Sequence, residues 1–126
     1  MPGVTYDTGA LIAAERNDRL LWALHRRTLE QGLLPTVPAG VLAQGWRGGP
    51  QPQMSRLLAG CRIEHLDEER ARSAGTACKI AGSSDIVDAS VVVGAAARDD
   101  LIATSDPADL EQLRDALQVQ LRIQPV

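Results

Sequence analysis

The chain has 126 residues, a formal net charge of −3, and 44% hydrophobic and 23% charged side chains. That is one domain's worth of sequence, taken as residues 1–126, and its apolar content argues against disorder. No apolar run approaches the ~20 residues of a membrane span, and the negative balance excludes a molecule that attracts nucleic acid over its whole surface. The opening MPGVTYDTGAL has no basic stretch ahead of an apolar one, so it does not read as a secretory signal. Cys61 and Cys78 fit no CxxC pair and no disulfide framework, and with His25 and His65 they make no zinc spacing. The expectation is reduced thiols in a cytoplasmic protein. Of the 13 basic side chains only Lys79 is a lysine, a ratio that also follows from a GC-rich coding sequence.

Val4, Thr5 and Tyr6 favour a strand, and Asp7-Thr8-Gly9 breaks it and can cap a helix through Leu11 to Ala14. Asn17-Asp18 punctuates. Residues 19–31 carry Leu20, Leu21, Leu24 and Thr28 at helical spacing, with Arg26, Arg27 and Glu30 opposite, and Gly32 stops that helix. LLPTVP reads as a short strand, and Pro38 suits the first turn of the helix VLAQGWR. Gly48-Gly49-Pro50 ends that helix; Gln51 to Ala59 form another, closed by Gly60. CRIEHL fits a half-buried strand only loosely, and Asp67 caps the helix EERARSAGTACKIA. After Gly82-Ser83-Ser84, Ser84 or Asp85 caps DIVDASVVVGAAA. LIATS is a compact strand, Asp106-Pro107 opens the helix ADLEQLRDAL, and VQLRI is a last strand.

Strands and helices thus alternate throughout, which predicts an α/β fold with a mostly parallel sheet of four or five strands and helices on both faces. Ligands in such sheets bind at the carboxyl ends of the strands. Asp7 and Asp106 each follow a predicted strand, and Asp85 and Asp88 sit in the first turn of the helix before LIATS, so three segments deliver carboxylates to one edge. Carboxylates three apart on a helix face repel unless a cation or arginine lies between them. A cluster without histidine or thiolate suits a hard cation, Mg²⁺ or Mn²⁺, which can activate water against a phosphodiester. Each acid has a plainer reading: Asp7 and Asp85 as helix caps, Asp106 as an ordinary helix start before proline.

Taken together, TYDTGALIA, VPAGVLAQGWRGG and SDIVDASVVVGAAARDDLIATSDPADL resemble, in order and spacing, the PIN domain, in particular the toxin subunit of VapBC-type toxin–antitoxin pairs. The resemblance implies a PIN-like three-layer sandwich and an Mg²⁺-dependent endoribonuclease, with tRNA or rRNA as substrate. It also implies a VapB-like antitoxin as partner, and a homodimer or toxin–antitoxin hetero-oligomer as the assembly. Its metal-binding acids fall on Asp7, Asp88 and Asp106, with Asp85 an accessory carboxylate one turn earlier. The family's mid-chain Glu falls on Gln44, which carries no charge. In this reading Gln44 holds a metal-bound water, and Asp85 or Glu15 supplies the missing charge. Thr104 can orient a ligand beside Asp106 or merely end its strand, and Thr5 carries the same ambiguity.

Arg47, one turn from Gln44, can meet a phosphate or be a solvated surface residue. Arg16, Arg19, Arg26 and Arg27 form a basic rim or the wet face of two helices. With two tryptophans, one tyrosine and no phenylalanine, base stacking is not a major term. Trp22 reads as core or interface, and Trp46 as an anchor of the middle helix. The apolar excess at Leu11, Ile12, Leu20, Leu21 and Leu24 suits a partner helix. Two other readings compete. A receiver-type signalling domain needs an acidic pair after the first strand, an Asp after the third and a Lys after the fifth, and this chain has none of these. A catalytically weakened or inactive PIN-fold binding module follows from Gln44.

Overall fold

The computed structural model describes residues 3–126. The elements run β1 (Val4–Tyr6), α1 (Thr8–Glu15), α2 (Arg19–Glu30), β2 (Thr36–Pro38), α3 (Ala39–Gly45), α4 (Pro52–Leu58), β3 (Arg62–Glu64), α5 (Glu68–Ala81), α6 (Ile86–Arg98), β4 (Leu101–Thr104), α7 (Ala108–Leu117) and β5 (Ile123–Pro125). Local chemistry sets many of these boundaries. Asp7, Asp18, Asp67 and Asp85 each accept a backbone N–H three residues on, capping α1, α2, α5 and α6. Gly82, at φ 65°, ends α5 in the left-handed conformation that glycine adopts without steric cost. The middle helix begins two residues earlier than its apolar pattern suggests, because Pro38 both ends β2 and serves as the N-cap. The last strand is displaced towards the C-terminus relative to VQLRI and holds only Ile123–Pro125.

All five strands pair in parallel in the order β3-β2-β1-β4-β5, as the alternation predicts. Successive connections leave β1 and β4 in opposite directions, so right-handed crossovers place α1–α4 on one face and α5–α7 on the other. The packing agrees: α1 lies against α2, α3 and α4, while α5, α6 and α7 pack together and α6 lies on β1, β2 and β4. Cover on both faces buries all three residues of β1, the polar Thr5 included. The core includes Tyr6, Leu11, Leu21, Val37, Met54, Leu57, Val91 and Ile102. The carboxyl ends of β1 and β4 meet where the strand order reverses, the usual crevice of such sheets.

Several expectations about the helices need correction. Leu20 is 63% exposed and Ile12 40% exposed, whereas Leu11, Leu21 and Leu24 are buried. The core-facing stripe of α2 is Leu21, Leu24, His25 and Thr28, so the apolar excess is real only at Ile12 and Leu20. Trp46 is 40% exposed at the C-terminal end of α3 and does not anchor it in the core. Trp22 donates its indole N–H to the Ala14 carbonyl, lies edge-on to His25, and carries the Arg56 guanidinium 4.0 Å above its ring. Thr5 belongs to a polar network away from the predicted site. Its hydroxyl donates to Asp100 and accepts from Arg98, which also pairs with Asp100 and Glu64. Gly94 permits this approach, since a Cβ there would stand 2.7 Å from a Glu64 carboxylate oxygen.

Candidate metal and phosphodiester site

Asp7 is the centre of the site. It follows β1, is 6% exposed, and uses both carboxylate oxygens. One oxygen accepts the Ala10 N–H at 2.8 Å as the cap of α1; the other accepts the Thr104 hydroxyl. The same Thr104 oxygen accepts the backbone N–H of Asp106 at 3.0 Å. A buried threonine at the end of β4 therefore ties the acid after β1 to the loop that carries the acid after β4. Thr104 thus ends β4 and also holds the Asp7 carboxylate. Burial raises the Asp7 pKa; the Thr104 and Ala10 hydrogen bonds oppose that rise, and the nearby Asp106 charge adds to it.

Asp88 lies in the first turn of α6, and its backbone N–H donates to Asp85 at 2.9 Å. Asp85 is thus an N-cap just outside the helix, with one oxygen committed to that role. The Asp88 carboxyl is pushed up to about 7, first by burial and then by Asp85, whose negative charge favours the protonated form, and by Asp7 and Asp109. Asp109 escaped the sequence reading. It lines, with Asp85, Asp88, Ser83 and Gln112, a cavity of about 140 Å³. The signal was available: DPAD repeats the acid spacing of DIVD, with a carboxylate at each end of a helix-opening segment.

Gln44, in the last turn of α3, accepts the Thr8 hydroxyl on its amide oxygen at 2.6 Å, which brings it beside the residue following Asp7. Arg47 instead donates to the Ala43 and Trp46 carbonyls, closing the end of α3, and pairs with no acid of the site. Glu15 accepts the Met54 N–H at 2.7 Å, filling the capping role that Gln51 leaves open at α4.

The elements thus bring Asp7, Asp88, Asp106, Asp85 and Asp109 to one edge, where Asp106 raises the pKa of Asp7, and Asp85, Asp7 and Asp109 raise that of Asp88. Carboxylate oxygens are the donor type that a hard divalent cation such as Mg²⁺ or Mn²⁺ takes. Among the described residues, however, no three or more acid, histidine or cysteine side chains are gathered closely enough to form a ready-made metal site. Asp7 and Asp85 each have one oxygen engaged in a helix cap.

A three-layer sandwich with a five-stranded parallel sheet and acids at its topological switch is a PIN-like fold. Comparison with solved structures gives the same architecture. A chain in the crystal structure of VapBC2 from Rickettsia felis bound to a DNA fragment from its promoter matches over 98% of each chain, with a TM-score of 0.69 and 12% identity. No family model matches the sequence, and no curated protein matches it.

Proposed function

We propose that this chain is the toxin subunit of a toxin–antitoxin pair, a metal-dependent endoribonuclease that cleaves cellular RNA, tRNA or rRNA, in the cytoplasm. The observation that carries this reading is that Asp7, tied through Thr104 to the loop of Asp106, lies within electrostatic reach of Asp106 and Asp88 at the switch between β1 and β4. The PIN-like fold supports it. Asp7, Asp88 and Asp106 would hold Mg²⁺, with Asp85 assisting. The bound ion would supply a more acidic water and neutralise charge on the phosphodiester. Thr104 fixes the rotamer of Asp7, and the caps fix the directions of Asp7 and Asp85. Covalent catalysis by thiolate is disfavoured, because burial pushes the Cys61 thiol up to about 12 and its hydrogen goes to the Leu57 carbonyl.

The proposed partner is a VapB-like antitoxin, in line with the toxin–antitoxin complex named in the structural neighbour. Exposed Ile12 and Leu20 offer it apolar contacts. The assembly would be a homodimer or a toxin–antitoxin hetero-oligomer. Native mass spectrometry after co-expression with the adjacent reading frame should find a complex; free protein alone at micromolar concentration would count against it.

Incubating the purified chain with total cellular RNA tests the activity. Cleavage should require Mg²⁺ or Mn²⁺, stop with EDTA, and disappear in Asp7→Asn and Asp88→Asn variants that keep their circular dichroism. Asp85→Asn should cost less. A second reading, a PIN-fold binding module without activity, is favoured by Gln44 and by the dispersed acids. Gln44→Glu separates the two: it should tighten Mg²⁺ binding in a nuclease site, whereas an inert, metal-free wild type and variant would leave only the binding module.

A further inference from the structure

We propose that Gln44 is a substrate-binding residue whose amide nitrogen donates a hydrogen bond to a non-bridging phosphate oxygen of the RNA, and that Thr8 is the positioning residue that aims it. The inference rests on the nuclease reading above and assigns Gln44 to the phosphate rather than to the cation or its water.

The Thr8 hydroxyl donates to Gln44 Oε1 at 2.6 Å, and the planar amide then turns its NH₂ group the other way. Among the described residues that nitrogen has no hydrogen-bond partner, and the Gln44 side chain is exposed. Thr8 is the first residue of α1 and directly follows Asp7, so the free donor stands at the rim of the carboxylate edge.

A donor so placed calls for an acceptor. An amide nitrogen has no lone pair to give a cation, and the accessible partner must be an acceptor. Asp7, Asp85, Asp88, Asp106 and Asp109 make this edge strongly anionic, so a phosphodiester meets repulsion there that a bound cation offsets only in part. A carboxylate at position 44 would add to the cation's hold but also to that repulsion. The neutral amide removes one negative charge and presents two N–H groups at the same place. Hydrogen bonds to charged acceptors are stronger than those between neutral groups.

The test measures anisotropy of a fluorescein-labelled, mixed-sequence single-stranded RNA with Ca²⁺ in place of Mg²⁺, alongside Mg²⁺ cleavage of total RNA. Gln44→Glu and Gln44→Ala should weaken RNA binding by about tenfold, the scale of losing a hydrogen bond to a charged group. Thr8→Val should weaken it several-fold, while Thr8→Ser, which keeps the hydroxyl, should restore wild-type affinity. In steady state the loss should appear in KM more than in kcat. Wild type that binds and cuts, with Gln44→Glu binding RNA as tightly, overturns this assignment and leaves the nuclease reading intact. Wild type that neither binds nor cuts overturns both. Weakening by Thr8→Val and Thr8→Ser alike would show that Thr8 matters for folding and not for aiming the amide.

Discussion

Replacing Asp88 by Asn should stabilise the protein in the absence of divalent metal, by an amount that grows as pH rises from ~4 to ~7 and is constant above. In the folded chain burial and the Asp85, Asp7 and Asp109 charges raise the Asp88 pKa to about 7, far above the value of an unfolded aspartate. The folded state therefore holds a proton that the unfolded state has lost. For this group stability is greatest at pH values below ~4, falls as pH rises through ~7, and is then flat. At ~1.4 kcal/mol per tenfold change in acidity the ceiling is ~4 kcal/mol. Asp88 is only partly buried, and solvent screening reduces this to roughly 1–2 kcal/mol. Asn keeps the shape and can donate to Asp85 as protonated Asp88 does, without the charge.

Thermal melts in EDTA read this out directly. For a chain of this size ~1 kcal/mol moves Tm by roughly 3–5 °C. Asp88→Asn should melt about 4–8 °C above wild type at pH ~8, roughly a third of that above it at pH ~5, and nearly with it at pH ~4. Mg²⁺ should raise the wild-type Tm at pH ~8, because a cation relieves the same repulsion, and should raise that of the variant less. An Asn variant no more stable than wild type at pH ~8 would refute the argument that like charges strain this edge.

Thr104→Val removes the hydroxyl that joins Asp7 to the Asp106 amide; it should cost about 1–3 kcal/mol in chemical denaturation and abolish Mg²⁺-dependent cleavage, whereas Thr104→Ser should keep both. Gly9→Ala would place a Cβ 2.5 Å from the Ser105 hydroxyl and 3.2 Å from its backbone nitrogen, so calorimetric titration should show weaker Mg²⁺ binding as the loop bearing Asp106 is displaced. His25 is buried, hydrogen-bonded to the Tyr6 hydroxyl at 2.9 Å, and its pKa is lowered by burial and by the Arg56 charge. Its contribution to stability is complete above the ordinary histidine pKa of ~6.5 and is lost as pH falls below it. The His25 ring resonance should accordingly titrate below ~6.5 in NMR, and a higher midpoint would show that the imidazole is not held neutral.

The sequence by itself determined the order and type of the elements and much of their punctuation. Caps are contacts between residues three apart, so Asp67 ahead of EERARS and Asp85 ahead of IVDAS are legible wherever the chain goes. The alternation of strand and helix dictates a parallel sheet, and the parallel sheet dictates that acids following β1 and β4 share an edge. Local pattern was least informative where only packing distinguishes equivalent positions. Leu20 and Leu21 are adjacent leucines on α2, yet one is exposed and the other fully buried.

Only the tertiary structure decided the side-chain partnerships that make the site. Thr104 reaches Asp7 across 97 positions, and Gln44 reaches Thr8 across 36. Glu15 reaches Met54 across 39 positions, and Thr5 joins Asp100 across 95. Each pairing depends on which strands are neighbours, on the register between them, and on which face a helix covers. Those are outcomes of burying one core, and no local window of sequence contains them. Asp109 shows the same limit: its spacing from Asp106 was plain, but α7 had to pack against α6 before that carboxylate could raise the pKa of Asp88.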